Sequence, residues 1–376
     1  MNHARPRSAY IHVPFCRHRC GYCNFTVIAG RDDLIEDFLS AIEIELSWLG
    51  EPQPVDTLFF GGGTPTHLKP EQLSRFFQLV KKWFPTSESA EISTEANPED
   101  IDAETVEVLQ QAGVNRVSLG VQSFRDAKLQ TLERSHSSDL VAQCVELLRP
   151  AVRSLSLDLI FGSPEETLEQ WQTDVQRALE LNPDHLSTYG LTYERGTRFY
   201  SLQQKNEIQA VSETDELAMY EYAMQSLADA GFEHYEVSNF AKPQHRCRHN
   251  ENYWFCNSFF GIGPGASAFV DGKRQSNHRS TTKYLQSVLA GKSSIDEIEE
   301  LDEKDLAHER LVFGLRRLEG VNLADFHQAT GKHVSELVGE PLNRLTEQGL
   351  LEITDEVIRL TKQGLIVSDS IWPHLL

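Results

Sequence analysis

The sequence predicts an α/β chain: a partial, six-stranded parallel β/α barrel followed by a C-terminal α+β winged-helix-like domain. Three observations carry this reading. Strand-like and helix-like segments alternate from residue 8 to about 192. That rhythm stops shortly after residue 210. The last 70 or so residues read as helices followed by a short hairpin. Repeated βα units imply parallel strands joined by right-handed crossovers, and six strands fall short of the eight that close a full barrel.

The strands are Ala9–Val13, Thr57–Phe60, Glu91–Thr94, Arg116–Leu119, Ser154–Phe161 and His185–Thr192. The intervening helices are Leu34–Leu49, Glu71–Trp83, Ala103–Ala112, Asp139–Leu148 and Thr167–Leu181. Spacing such as Leu34, Phe38, Ile42 and Leu46 gives each helix one apolar face. Acids mark helix starts at Asp32-Asp33 and Asp102, and Gly50, Gly113 and Asn182-Pro183 mark stops. Beyond the barrel come a helix at Asp215–Ala230, a Cys/His/aromatic stretch at 247–256 and a Gly-rich run at 261–265, read as a tight loop closing the barrel mouth. Leu306–Leu318 and Val334–Gln348 read as amphipathic helices, Leu350–Ile353 with Val357–Leu360 as a hairpin, and Lys362–Ser370 as a last helix. The domains are therefore drawn as 1–210, 211–295 and 296–376.

The composition is globular, with 40% hydrophobic and 24% charged residues and no long apolar run. A net charge of −21 without a basic tract disfavours nucleic acid as a partner, because phosphate binding needs a positive surface. The N-terminus has no apolar signal-peptide core, so a cytoplasmic location is expected. Six cysteines in so long a chain do not read as a disulfide framework; clustered cysteines in a reducing compartment bind metal or do redox chemistry.

Cys16, Cys20 and Cys23 form that cluster, spaced three residues and then two. A loop of this kind can wrap three thiolates around one face of a 4Fe–4S cube and leave the fourth iron open. A partial zinc site is the alternative. Downstream, Gly61-Gly62-Gly63-Thr64-Pro65 follows an apolar strand. Its glycines allow close backbone approach by a ligand and leave amide groups free. No Gly-Lys-Ser/Thr follows, and the spacing is not that of a dinucleotide fingerprint. Cys144 reads as a core thiol, and Cys247 and Cys256 flank the run His249-Asn-Glu-Asn-Tyr253-Trp254.

Taken together, Tyr10-Ile-His-Val-Pro-Phe-Cys16, Gly-Gly-Gly-Thr-Pro, Glu95-Ala-Asn-Pro98, Asn115 to Phe124 and Leu157-Asp-Leu-Ile-Phe-Gly162 occur in an order that resembles the radical S-adenosylmethionine (SAM) superfamily. Within it, they resemble the oxygen-independent coproporphyrinogen III oxidase-like family. The resemblance covers residues 8 to about 270, with a C-terminal continuation. It implies Cys16, Cys20 and Cys23 as cluster ligands, Tyr10 lining the SAM site and Tyr22 stacking on adenine. It implies Gly62, Gly63 and Thr64 at the polar end of SAM, and Glu95, Gln122, Arg134 and Asp158 at the remaining SAM contacts. No residue is assigned a catalytic role.

Two readings of function follow from the resemblance. The first is a heme chaperone carrying a 4Fe–4S cluster, SAM and heme. It would hand heme to acceptor hemoproteins, plausible ones being respiratory and membrane-associated, with an electron donor for the cluster and a homodimer among its expected assemblies. The second is an enzyme that decarboxylates coproporphyrinogen III by SAM radical chemistry. The oxidase carries a further Cys just beyond its triad and a long N-terminal extension; Cys23 is followed by Asn24-Phe25, and the first strand starts after about eight residues. The run from His249 to Trp254 matches the signature of the chaperone branch, which makes His249 the expected axial heme ligand with Tyr253 and Trp254 beside it. A hydrogen-bonded core histidine is the alternative, as is Cys247 as a thiolate ligand.

Overall fold

The computed structural model describes residues 5–376. The β/α region comprises β1 (Ser8–Val13), α1 (Ile35–Ser47), β2 (Val55–Gly62), α2 (Pro70–Trp83), β3 (Thr86–Ala96), α3 (Ala103–Gln111) and β4 (Arg116–Gln122). It continues with α4 (Asp126–Thr131), α5 (Ser138–Leu148), β5 (Ser154–Phe161), α6 (Leu168–Glu180) and β6 (His185–Gly190). The six expected strands lie side by side in chain order, all parallel.

The sheet is wider than six strands. After α7 (Arg198–Gln204) and α8 (Glu213–Asp229), β7 (Glu233–Glu236) and β8 (Asn239–Ala241) extend the β6 edge antiparallel. The short helix α9 (Arg248–Trp254) leads to β9 (Phe260–Ile262), which pairs parallel to β1 with Tyr10 opposite Gly261. The start of the Gly-rich run is thus an edge strand, not a loop. Gly261 is required there, since a Cβ would lie 1.8 Å from the Ser267 carbonyl oxygen.

Side chains alternate in and out along each strand. The outer set, such as Ala9, Ile11 and Val13 or Leu155, Leu157 and Leu159, is buried against the helices in the main core. The inner set is polar: Ser8, Tyr10 and His12; Ser93 and Glu95; Arg116 and Ser118; Ser156 and Asp158; His185 and Ser187. Cross-strand register puts Glu95 beside Ser118, and Ser118 beside Ser156. A parallel sheet covered on both faces by helices would be apolar on both; this one encloses a polar lumen instead.

A buried cation fixes the loop after β4. Lys128 on α4 lies 2.5 Å from Glu166 and 3.1 Å from Asp174, with all three side chains almost fully buried. Asp174 also accepts from the Ser123 hydroxyl and the Phe124 amide at 2.7 and 2.8 Å. This network anchors the residues directly after Gln122, whose backbone is left-handed at φ 63°.

Beyond β9, a three-stranded antiparallel sheet forms from β10 (Ser267–Val270), β11 (Lys273–Asn277) and, after α10 (Thr281–Leu289), β12 (Ile295–Glu300). The C-terminal domain is α11 (Glu303–Leu315), β13 (Val321–Asn322), α12 (Leu323–Thr330), α13 (Val334–Glu347), β14 (Leu351–Ile353), β15 (Val357–Leu360) and α14 (Lys362–Ile366). Helix, strand, two helices and a hairpin, with a sheet order β13-β15-β14, give the winged-helix-like arrangement that was expected. It has its own apolar core around Leu311, Phe326 and Ile358. The final helix is split, because Val367 leaves helical geometry between Lys362–Ile366 and Ser368–Ile371. Among the described residues no helix is long and apolar enough to cross a membrane.

Removing one member of a buried, hydrogen-bonded charge cluster leaves the others unpaired. Lys128→Met is therefore expected to lower unfolding stability by about 3–5 kcal/mol, measured by chemical denaturation. A variant as stable as the parent would show that Glu166 and Asp174 do not depend on this cation.

Candidate functional site

A cavity of about 1200 Å³ opens at the C-terminal ends of the parallel strands. The loop from β1 to α1 forms one wall and carries the three cysteines. Its base is closed by a two-residue parallel pair, Phe15–Cys16 with Ile28–Ala29. Inside it, the Cys23 amide donates to the Cys20 carbonyl at 3.1 Å. Three outside contacts hold the loop. The His12 Nε2 meets the Thr26 carbonyl at 2.7 Å. Arg279 donates to the Asn24 carbonyl. The Phe199 amide donates to the Gly21 carbonyl at 2.9 Å. All six cysteines of the chain are free thiols.

The glycine loop at the end of β2 is clamped to the cysteine strand. The Gly63 amide donates to the Val13 carbonyl and the Thr64 amide to the Phe15 carbonyl, each at 2.7 Å. A Cβ on Gly63 would sit 2.6 Å from the Phe15 oxygen. Gly62 adopts φ 106°, and a side chain there would run into the His12 ring. Its amide donates to Glu95 Oε2 at 2.8 Å.

A chain of contacts then crosses the cavity mouth. Cys16 Sγ lies 3.4 Å from the Thr64 hydroxyl. Asn97 donates to that hydroxyl at 2.7 Å and accepts from Arg134 at 2.7 Å. Arg134 also donates to the Gly120 carbonyl at 2.9 Å, and its other Nη lies 3.9 Å from Cys20 Sγ. Its Nε is buried with no partner. Deeper in, Asp158 accepts from the Ser118 hydroxyl at 2.9 Å.

Burial dominates the electrostatics. It pushes the Cys16 thiol up to about 12, opposed by the Thr64 hydroxyl. It raises the Cys23 thiol as well. Glu95 is raised to about 7, mainly by burial, against the pull of the Gly62 amide and with a further push from Asp158. Asp158 is also raised by burial, opposed by hydrogen bonds from Ser187 and Ser118.

Eleven of the thirteen expected site residues line this one cavity: Cys16, Cys20, Cys23, Tyr22, Gly62, Gly63, Thr64, Glu95, Gln122, Arg134 and Asp158. Two do not. Tyr10 is absent from its lining; its hydroxyl lies 3.1 Å from His12 Nδ1 and its ring stacks on Phe59. His249 is the larger correction. It is 1% exposed, with Nδ1 2.9 Å from the Thr57 hydroxyl and Nε2 2.8 Å from the Tyr253 hydroxyl. Burial lowers it to about 3, so the ring is neutral and both nitrogens are engaged. Glu91 accepts from the backbone amides of Arg248 and His249, seating α9 in the floor of the barrel. Cys247 is sealed into the same floor beside Glu91. Cys144 is a core thiol bonded to the Pro98 carbonyl.

Asn97 escaped assignment from sequence although it lies inside the Glu95-Ala-Asn-Pro98 run. An asparagine ahead of a proline reads as a turn residue, and only the fold brings it between Thr64 and Arg134.

The residues present suit a cluster with an amino-acid-bearing ligand beside it. Three unpaired thiols share one wall with a cationic guanidinium nearby, and the glycines leave room for a ligand against the backbone. Among the described residues, no three His, Cys, Asp or Glu side chains converge to hold a single metal ion.

Comparison with known proteins matches residues 10–178 to the radical SAM superfamily and residues 301–367 to the HemN C-terminal domain. Heme chaperone HemW of Bacillus subtilis is 34% identical over 98% of this chain and 99% of its own length. Heme chaperone HemW of Lactococcus lactis is 34% identical over 99% and 98%. The chain belongs to the HemW family of radical SAM proteins. Heme chaperone HemW of Escherichia coli is 32% identical over 97% of both chains. Among solved structures, the E. coli coproporphyrinogen III oxidase HemN superposes with a TM-score of 0.87 at 24% identity, covering 99% of this chain and 90% of HemN. That likeness establishes a shared fold. Radical SAM membership implies a 4Fe–4S cluster and SAM.

Two tests follow from this geometry. Gly63→Ala must push apart the glycine loop and the cysteine strand at a cost of about 1–3 kcal/mol, so the anaerobically reconstituted variant is expected to hold less iron per chain. Full iron loading would show that the clamp does not position the cysteines. For Glu95, the folded carboxyl is raised above its unfolded value, so its contribution is complete below the ordinary glutamate range and is lost as pH rises through about 7. Without SAM, Glu95→Gln should flatten the fall in melting temperature across that window; parallel curves for parent and variant would refute the buried charge.

Proposed function

We propose that this chain is a heme chaperone that binds a 4Fe–4S cluster, SAM and heme, and passes heme to acceptor hemoproteins. The observation that supports this most is the near end-to-end similarity to proteins named heme chaperone HemW. In this reading Cys16, Cys20 and Cys23 hold the cluster. The SAM amino group sits near Glu95 and the glycine loop. Arg134, steadied by Asn97, pairs with the SAM carboxylate through its forked donors. Asp158 accepts from ribose hydroxyls, and Tyr22 lies beside the adenine.

A reduced cluster with SAM bound supplies one-electron chemistry; the protein contributes binding, orientation and exclusion of water. The burial of Glu95 and Asp158 has a clear use here. Glu95, raised to about 7 by burial with Asp158 adding a push, gains by ionising against a bound ammonium. The acceptor would be a hemoprotein, and an external donor would reduce the cluster.

The decisive experiment is anaerobic incubation of the reconstituted protein with SAM, a low-potential reductant and coproporphyrinogen III, with porphyrins and 5′-deoxyadenosine chromatographed together. No decarboxylated tetrapyrrole is expected, while heme preloaded on the chain should transfer to an apo-hemoprotein. Protoporphyrinogen formed over many turnovers would make the chain an oxidase and overturn this reading.

A further inference from the structure

A single line of hydrogen bonds joins Asp158, in the main cavity, to the start of α9. The Ser156 hydroxyl lies 3.3 Å from Asp158 Oδ1 and 2.8 Å from His185 Nδ1. His185 Nε2 lies 2.8 Å from the Tyr235 hydroxyl. That hydroxyl accepts from the Cys247 amide at 3.2 Å, and Cys247 caps the first turn of α9. Ser156, His185 and Tyr235 are all buried, so among the described residues they have only these neighbours to satisfy their polar side-chain atoms.

One end of the line fixes its direction. A backbone N–H can only donate, so the Tyr235 oxygen accepts from Cys247 and its own proton is free for His185 Nε2. The imidazole is neutral, because burial and then the Arg116 charge lower it well below the usual histidine range. A neutral ring that accepts at Nε2 carries its proton on Nδ1 and donates it to Ser156. Ser156 is then left with its own proton for Asp158. In this direction every donor has an acceptor, and the line ends on a carboxylate. In the reverse direction Ser156 would donate to His185 and His185 to Tyr235. The Tyr235 proton would then have no acceptor among the described residues. An unmet buried donor is costly, so the reverse direction is disfavoured.

We propose that His185 and Tyr235 are positioning residues that hold Asp158 as an ionised acceptor for the ribose hydroxyls of SAM, and that α9 acts on the SAM site through them. The proposal rests on the SAM-binding reading of the main cavity. The charged and titratable groups that face Asp158 are Glu95 on β3, which repels it, Arg116 on β4, which attracts it, and Tyr189 on β6. The Ser118 and Ser187 hydroxyls also favour its charged form. Burial outweighs this help and leaves the carboxyl raised. Loss of the Ser156 proton therefore favours the neutral acid, a poorer acceptor for a ribose hydroxyl. The line also gives the helix that carries His249 a connection to the cavity that His249 itself lacks.

The test is equilibrium binding of SAM, and of an analogue lacking both ribose hydroxyls, to the anaerobically reconstituted chain from mildly acidic to mildly alkaline pH. Ser156→Ala removes the last donor of the line and leaves the barrel floor untouched. Tyr235→Phe breaks the line at its far end, where either tautomer of His185 then has one unmet group and the bias toward Nδ1–H is lost. Each variant raises Asp158, so SAM affinity should begin to fall at a higher pH than in the parent. At the acidic end SAM should bind about tenfold more weakly to Ser156→Ala, as expected for one hydrogen bond to a charged group, and less weakly to Tyr235→Phe. At the alkaline end both should approach the parent, and the analogue should bind parent and variants alike. Parental SAM affinity in either variant at acidic pH would overturn the proposal. So would equal weakening of SAM and the analogue, which marks a structural role only. SAM bound by Asp158→Asn with parental affinity would also overturn it, while leaving the rest of the SAM reading intact. A parent chain that binds no SAM would overturn both.

Discussion

The arrangement of the site depends on two backbone hydrogen bonds. The amides of Gly63 and Thr64 reach across to the carbonyls of Val13 and Phe15, and so join the glycine loop to the strand that delivers Cys16. The join is tight enough that only a glycine fits at 63. The neighbouring side chains take their places from it. Thr64 is brought to Cys16, Asn97 to Thr64, and Arg134 to Asn97. One strand pair thus sets the distances between a thiol wall and the Arg134 guanidinium, more than a hundred residues apart in the chain.

The polar lumen below the cavity is the second constraint. Most buried polar groups find partners, and here many find one another and α9. His185 bridges the Ser156 and Tyr235 hydroxyls, and His249 bridges those of Thr57 and Tyr253. Arg116 is the buried cation among Cys247, Glu91 and Asp158. A helix of seven residues therefore acts as a stopper whose inner face is chemically matched to the barrel. The same helix docks the C-terminal domain with its other side. Arg316 stacks 4.6 Å over the Trp254 ring, and Arg317 4.0 Å over Phe255. The segment around Leu365–Asp369 reaches back to line the main cavity. The C-terminal domain in this way contributes to the cavity wall, though it keeps a separate core.

The run from His249 to Trp254 illustrates how a motif can be read correctly and placed wrongly. Its residue types suit a heme pocket, and as a family signature it points to the right branch. Yet its histidine serves the barrel floor, while Asn252 of the same run lines a separate cavity. A seven-residue helix offers no long periodicity from which to decide which face is buried.

The sequence by itself determined the six parallel strands and their order, because each βα unit carries its own apolar period, caps and stops. It also determined the cysteine loop, the glycine loop and the carboxylates at strand ends, since local spacing and residue chemistry are enough to mark them. The tertiary structure decided the rest. It added three edge strands to the sheet, because short strands such as Phe260–Ile262 acquire meaning only from a partner's register. It set the Tyr10 hydroxyl against His12 and its ring on Phe59. It gave His249 two hydroxyl partners, one of them from a distant strand, which no local pattern records. Spacing along the chain specifies what a residue can do; the side chains that surround it after folding, and the water they exclude, decide whether it is free to do it.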